Sequence, residues 1–352
     1  MVRTGLIGCG RIAPMHAEAL AALPRSLFTA VCDPFPERAR EFAARYGVER
    51  VFTDPVAMLT SGEVEAVSVC TPHPTHADLV VAAAEAGVHV LCEKPIAVRL
   101  AEADRMIAAC RRAGTRFGVV FQRRFWPASQ RIRAAIDGGQ LGHLTLAECA
   151  SRLWRSQEYF ASDPWRGKWA TEGGGVLMNQ AVHFIDLLQW FMGPAVEIVG
   201  RMATLRHGAY IDVEDTVVAT VAFESGALAS ILAATSFEPD FGFRVAVHGS
   251  TGAAVSVWEL PEGKQGINDV WTVRGEEKRR PIWEDEDRDK SGFPLFHRLQ
   301  IEEFLDAVAA DRDPAVTGEE ARKSLEIILA IYHSSRTGQS VRLPLATDPE
   351  TV

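Results

Sequence analysis

Among the histidines and lysines of this 352-residue sequence, His183 and Lys94 stand where a side chain could move a proton or steady a negative oxygen. His183 lies in Gly173-Gly174-Gly175-Val176-Leu177-Met178-Asn179-Gln180-Ala181-Val182-His183-Phe184-Ile185-Asp186. Read as a helix of about 3.6 residues per turn, the stretch puts Asn179, His183 and Asp186 on one stripe. Leu177, Phe184, Leu188 and Phe191 then form an apolar back that can bury. A lone histidine is more often a satisfied core residue. The amide and carboxylate on its stripe favour a site, and imidazole titrates near neutrality, which suits proton transfer. The three glycines let another backbone or a ligand come close. Lys94 ends a short apolar run, in Glu93-Lys94-Pro95, and its ammonium offers three donors and one positive charge.

The elements that must position Lys94 start at the N-terminus. A strand-like run leads into Gly8-Cys9-Gly10-Arg11-Ile12-Ala13, a helical run follows, and a second strand ends on Asp33, about 20 residues on. That order is the one a dinucleotide site requires. Gly8 and Gly10 permit the tight turn, and with Arg11 and Ile12 they bring pyrophosphate to free N–H groups at the helix start. Asp33 would accept hydrogen bonds from the adenosine ribose and repel a 2'-phosphate, which favours NAD over NADP; Arg38 nearby could rescue a phosphate. Strand and helix then alternate: 66–69, 75–86, 89–92, 100–113 and 116–120. This rhythm predicts a parallel, doubly wound sheet, whose ligands sit at the carboxyl ends of its strands. Asp33, Thr71, Glu93, Lys94 and Gln122 occupy such ends, and His76 shares a loop with His73; all but His73 are counted as cofactor contacts, with Lys94 also catalytic.

Hydrophobic content of 47% and charged content of 24% are those of an ordinary globular protein with room for two domains. A net charge of -9 argues against nucleic-acid binding. No apolar run approaches a membrane span, and no signal peptide is evident. Six cysteines without CxxC pairing predict reduced thiols and a cytoplasmic location. No metal-ligand spacing is visible.

The composition changes after Gln122, which divides the chain into 1–122 and 123–352. Residues 127–137 read as a helix and 144–151 as a strand. A segment rich in aromatic and basic residues follows, including Trp154, Arg155, Tyr159, Phe160, Trp165 and Arg166. It reads equally as a loop pinned by its own anchors or as a sugar-binding surface of aromatic faces and arginines. Its lead into the glycine run tips it to substrate contact, giving Arg124, Trp154, Arg155, Trp165, Arg166, Asn179 and His183 as the substrate set. Period-2 runs at 197–207, 214–223, 227–233, 243–249 and 253–258 predict an antiparallel meander. A mixed-charge stretch, 276–290, reads as a solvated loop, and two helices close the chain, 297–310 and 319–337.

With Gly8-x-Gly10-x-x-Ala13, Glu93-Lys94-Pro95 and Gly173-Gly174-Gly175 leading to His183-x-x-Asp186, the chain resembles the Gfo/Idh/MocA oxidoreductases over essentially its whole length. The resemblance implies an N-terminal Rossmann domain and a C-terminal α/β domain on a large, mostly antiparallel sheet. It implies that the closing helices, about 297–337, return to the Rossmann domain. It also implies a homodimer or homotetramer through that sheet. Lys94 corresponds to the family's catalytic-site lysine and His183 to its catalytic histidine. Many members carry an aspartate four residues before that histidine; here the place holds Asn179, which leaves the proton partner of His183 open.

The expectation is an NAD-dependent oxidoreductase acting on a secondary hydroxyl or ketone of a sugar, sugar derivative or cyclitol. His183 would take the proton, Lys94 would steady the oxygen, Asn179 would place a neighbouring hydroxyl, and Asp186 would orient or tune the imidazole. Two rivals keep the same fold: glycoside cleavage by transient oxidation, and a non-catalytic sugar or nucleotide sensor.

Overall fold

The structure, a computed structural model, describes residues 1–276 and 293–348. All of the mixed-charge stretch beyond Glu276 lies outside the described residues. The chain forms two compact units, Met1–Gln122 with Phe293–Arg322, and Arg123–Gly292 with Lys323–Val352.

The first unit alternates β1 (Val2–Ile7), α1 (Ala13–Ala22), β2 (Ser26–Cys32), α2 (Pro36–Tyr46), β3 (Arg50–Phe52), α3 (Pro55–Leu59), β4 (Ala66–Val69), α4 (His76–Glu85), β5 (His89–Cys92), α5 (Leu100–Ala113) and β6 (Phe117–Val119). The six strands pair in parallel in the order β3-β2-β1-β4-β5-β6. Leu6, Val31, Val69, Val90 and Leu91 are buried, as the apolar runs of a sheet covered on both faces require. Helices stop where glycine takes the left-handed conformation: Gly47 after α2 and Gly114 after α5, both at φ 69°. The sheet reverses winding between β1 and β4, which marks the carboxyl ends of those strands as the ligand-binding edge.

The second unit contains α6 (Pro127–Asp137), β7 (Leu144–Arg152), the short α7 (Gln157–Ala161) and α8 (Trp169–Glu172), α9 (Val182–Met192), then β8 (Ala195–Ala203), β9 (Thr216–Phe223), β10 (Leu228–Ala234), β11 (Gly242–Gly249) and β12 (Ala254–Glu259). The chain next enters α10 (Phe293–Ala309), which supplies Ile301, Phe304 and Leu305 to a first-unit cluster with Leu20, Leu23 and Leu91. It ends with α11 (Gly318–Thr337) and β13 (Val341–Arg342). The unit boundary after Arg322 falls inside α11. Beyond it, Ile331 lies against Gly200, where a Cβ would come within 2.8 Å of the isoleucine, and Tyr332 meets Trp169 edge-on at 5.1 Å.

The second sheet runs β12-β11-β7-β10-β9-β8-β13. It is mostly antiparallel, but the expected meander is corrected at one place. β7 inserts between β10 and β11 and pairs with β10 in parallel, Leu228 opposite Leu146 through Ala234 opposite Arg152. The cause is the long segment between β7 and β8, which frees β7 from a tight turn and lets it return beside a non-consecutive strand. Alternation along these strands buries one row, including Cys149, Val217, Ala219 and Ile231. It exposes the other, with Leu146, Val218 and Leu228 each more than half exposed.

Candidate active site

In the first unit the dinucleotide turn has the shape its glycines require. Gly8 sits at φ 94°, and a Cβ there would meet Cys70 O at 2.9 Å and Thr71 Cγ2 at 2.8 Å. Gly10 is exposed, and a Cβ added there would find nothing within 4 Å. Arg11 is exposed and Ile12 half-buried beside it, and no side chain caps the start of α1. Pro14 brings no N–H to that start and Met15 N–H donates to Ile12 O at 3.1 Å, so an anion there would be met by Ala13 N–H and the glycine turn before it. Asp33 is buried, with Oδ2 accepting from Cys9 N–H at 2.9 Å and Oδ1 from Phe35 N–H at 3.0 Å. Each oxygen keeps a lone pair for a ribose hydroxyl. Arg38 stands 3.6 Å from Asp33, its guanidinium 4.6 Å above the Phe35 ring. After β6, Gln122 is buried, and among the described residues its Oε1 finds no hydrogen-bond partner. An open glycine turn, an uncapped helix start, a preset carboxylate and an orphaned amide oxygen together fit a dinucleotide.

Two expected cofactor contacts have other work. His76 is fully buried between backbone carbonyls, Nδ1 at 3.0 Å from Pro95 O and Nε2 at 2.9 Å from Thr71 O. It pins the loop after β4 to the loop after β5, so its assignment to the cofactor is corrected. Glu93 is buried too: Oε1 lies 2.9 Å from His16 Nε2 and 3.8 Å from His297 Nε2, and Oε2 accepts the Lys94 N–H at 3.1 Å. Burial works to raise its pKa, but the His16 hydrogen bond and the charges of His16, His297 and Lys94 hold it at about 2. Glu93 is thus an internal carboxylate that orients the backbone of its neighbour. Lys94 itself is half-buried, and Thr71 accepts at its hydroxyl from Thr75 Oγ1 at 2.7 Å. His16, Glu93 and His297 hold their ligand-type atoms within 4.8 Å of one another, a cluster that sequence spacing could not reveal because α1, the loop after β5 and α10 each contribute one member. With a hydrogen-bonded Oε1 and an engaged Oε2, we read it as an ion-paired network.

In the second unit the single stripe of Asn179, His183 and Asp186 is corrected. Residues Leu177–Ala181 form a π-helical turn before α9, and its i→i+5 bonding breaks the spacing that an α-helix would keep. The three side chains go separate ways. Asn179 Nδ2 donates to Glu172 Oε1 and, at 3.4 Å, to Tyr159 Oη. Asp186 is fully buried and chelated by Arg124, Nε to Oδ2 and Nη2 to Oδ1, both 2.7 Å, with Ser324 Oγ at 3.2 Å. Burial pushes Asp186 up, and Arg124 opposes that rise. His183 is 6% exposed. The expected polar front is therefore mostly covered, and α9 is buried nearly all round, with Phe184 stacked on Phe243 at 4.5 Å.

The expected substrate arginines also have acceptors inside this unit. Arg124 is 4% exposed and committed to Asp186, so its assignment to substrate is corrected. Arg155 pairs with Glu262, and its guanidinium lies 4.9 Å from the Tyr159 ring centre. Arg166 pairs with Asp163, donates to Tyr159 Oη at 2.7 Å and covers Trp165 at 4.4 Å. Trp154 lies against His207 at 5.5 Å, with Arg206 5.4 Å over it. The aromatic and basic segment is held largely by its own cation–π and hydrogen-bond contacts. Gln180 Nε2 adds a donor to Tyr159 Oη at 2.9 Å. Burial raises the Tyr159 pKa against the lowering by Arg166 and Arg155, so it stays a phenol.

The glycine run has a partner that sequence reading missed. Glu214, at the entry to β9, is buried under it: Oε2 accepts Gly175 N–H at 2.6 Å, Oε1 accepts Leu177 N–H at 3.0 Å and Tyr332 Oη–H at 2.8 Å, and its carbonyl accepts Val176 N–H at 3.2 Å. A Cβ on Gly175 would lie 1.9 Å from Glu214 O, and one on Gly174 2.2 Å from Tyr332 Oη. Of the two partners the glycines allowed for, backbone or ligand, a backbone is what they admit here. Nothing near Gly175 in sequence signals Glu214, whereas Glu172 stands directly before the run.

Residues 2–121 match the Gfo/Idh/MocA oxidoreductase family, NAD-binding Rossmann fold, and residues 129–255 match the Gfo/Idh/MocA C-terminal domain. Myo-inositol 2-dehydrogenase of Thermotoga maritima is 29% identical over 97% of this chain and 98% of its own. Scyllo-inositol 2-dehydrogenase (NAD(+)) of Bacillus subtilis is 25% identical, over 97% and 96%. The crystal structure of the WlbA dehydrogenase from Bordetella pertussis, in complex with NADH and UDP-GlcNAcA, superposes with a TM-score of 0.85 at 32% identity, covering 98% of this chain and 99% of that one. On both halves of its sequence, and on the fold that carries them, the chain belongs to the Gfo/Idh/MocA family of NAD-binding oxidoreductases.

Proposed function

We propose that the chain is an NAD-dependent dehydrogenase for a secondary hydroxyl of a sugar, sugar derivative or cyclitol, or a reductase of the corresponding ketone. The observation that carries this reading is a dinucleotide turn backed by a preset Asp33, in a family whose relatives include inositol dehydrogenases. When bound, the nicotinamide supplies the hydride acceptor. Asp33 binds the adenosine ribose, and its charge favours NAD over NADP. Gly8, Gly10, Arg11 and Ile12 receive the pyrophosphate, with Thr71 and Gln122 as further contacts. His183 serves as the proton acceptor, and Lys94 as the donor that steadies negative charge developing on the substrate. Asn179 cannot accept a proton as a carboxylate does; tied to Glu172 and Tyr159, it serves to place a substrate hydroxyl. Trp154, Arg155, Trp165 and Arg166 shape the substrate surface.

The test is a screen for NADH formation with NAD and NADP across inositols, free sugars, sugar acids and nucleotide-linked sugars. His183→Ala should lower kcat by about 10²–10⁴-fold with NAD affinity unchanged. Undiminished turnover in that variant would remove His183 from the chemistry.

The open face of the second-unit sheet, with Leu146 beside Leu228 and Leu232 beside Val218, is where a second copy docks to form a homodimer or homotetramer. Light scattering on Leu228→Glu should show a smaller particle than the parent. No described helix is long and apolar enough to cross a membrane. Six free, buried thiols suit the reducing cytoplasm.

A further inference from the structure

The start of the helical segment that carries Asn179 and His183 exposes three successive N–H groups, from Gly175, Val176 and Leu177. No side chain within that segment caps them. All three are satisfied by one residue 37 to 39 positions away in sequence. We infer that Glu214 is a positioning residue for the reaction: it caps the His183 helix from outside and sets where that helix begins. This rests on the reading of His183 as the proton acceptor.

Three features make the contact more than ordinary burial. First, it is multidentate. Both carboxylate oxygens and the backbone carbonyl are used, so the segment is fixed in translation and in rotation about its axis. Second, it is close. Gly175 lies so near the Glu214 carbonyl that any side chain there would collide with backbone, and the glycine run is the sequence's accommodation of Glu214. Third, it is braced. Tyr332 from α11 donates to Oε1 and blocks the space beside Gly174, which leaves the carboxylate one orientation. Burial pushes the Glu214 carboxyl up to about 7, and the N–H groups of Leu177 and Gly175 oppose that rise; in its ionised form it also complements the helix dipole. The π-helical turn follows at once and carries Asn179, so a shift at the cap passes to Asn179 and then to His183 with no flexible linker between.

Asp215, the next residue, performs the same service for another turn. Its oxygens accept N–H groups of Leu205, Arg206 and His207 at 2.9, 2.7 and 2.8 Å. It supports the turn beside Trp154 and serves as an internal comparison, because it is carboxylate capping without a link to His183.

The experiment uses the full chain with NAD and the fastest substrate of the screen. Glu214→Gln keeps the size but presents a donor to at least one backbone N–H. Expected are a fall in kcat of about 10- to 100-fold, KM and NADH affinity within about twofold of the parent, and faster hydrogen exchange in peptides spanning 173–185 but not in first-unit peptides. In a His183→Ala background the same change should cost no further kcat. Tyr332→Phe, which removes one brace and leaves the cap, should show the same pattern more weakly and keeps the test open if Glu214→Gln does not fold. Asp215→Asn should leave exchange in 173–185 unchanged. The inference is overturned if exchange rises while kcat holds, if kcat falls equally in the His183→Ala background, or if NADH affinity falls with kcat. A fully active His183→Ala refutes the functional reading instead, and the exchange measurement then still decides whether Glu214 holds the helix.

Discussion

Removing Arg124 separates two accounts of that residue. The sequence places it among the substrate contacts; the structure commits it to Asp186. The pair is 4% and 0% exposed and bidentate, both contacts at 2.7 Å, with Ser324 as a third partner and the Trp190 ring 5.2 Å from the guanidinium. Arg124→Met keeps the aliphatic bulk and leaves the Asp186 carboxylate buried without a counter-charge. Breaking such a pair from one side costs about 3–5 kcal/mol, far above the ~0–1 kcal/mol of an exposed pair. For a unit of this size that is a loss of roughly 10 °C in Tm. The sign with pH follows from Asp186. Its folded pKa lies above the ordinary value already, and losing Arg124 raises it further, so the fold binds a proton that the unfolded chain does not. That contribution is present at low pH and lost as pH rises through the folded pKa. The gap between parent and variant should therefore be smaller near pH 5 than near pH 8, as measured by urea unfolding followed by circular dichroism. Arg124→Met with Asp186→Leu should recover all but about 1 kcal/mol, because an apolar pair carries no unpaired charge. A single variant within ~1 kcal/mol of the parent, or additive losses in the double variant, would refute the ion-pair account. Intact stability with a raised KM would restore the substrate role.

Three shorter predictions follow from the first unit and the thiols. Asp33→Asn removes the charge that repels a 2'-phosphate while Arg38 remains 3.6 Å away, so the NAD-to-NADP affinity ratio should fall by about tenfold or more in fluorescence titrations; an unchanged ratio contradicts the assignment. Glu93 is held at about 2 against an ordinary 4.5, so its stabilising effect is present above 4.5 and lost as pH falls through 2. Glu93→Gln should accordingly be least stable relative to the parent near neutrality, the difference closing in acid, and a gap that widens in acid would reverse the argument. All six cysteines are buried, with Cys9 and Cys32 pushed up to about 12 and Cys110 to about 11, first by burial. Ellman's reagent should react with the native protein only slowly and release six thiols in urea, and one fast native equivalent would contradict that picture.

Local rules made much of this protein legible. Pro127 at the first helical position and Gly138-Gly139 after the last bound α6 as it is found, and Gly114 ends α5 for the reason glycine usually does. Strand alternation located β9 to β12 within two residues, and the spacing from Gly8 to Asp33 located the turn and the acid that faces it. These are effects between neighbours in the chain, where composition and period carry the information.

What tertiary structure alone decided is where distant polar groups find each other. The parallel pairing of β7 with β10 follows from the long segment that separates β7 from β8, and no period encodes which strand it returns beside. Arg124 and Asp186 each resemble a functional charge in sequence and become a closed pair only because burial makes an unpaired charge too costly. His16, Glu93 and His297 converge from three places in the first unit. The glycine run shows both halves of the lesson. Its composition announced that something must come close, but Glu214 and Tyr332 were named only by the fold, because a helix start short of acceptors takes them from whichever buried strand end and helix lie within reach.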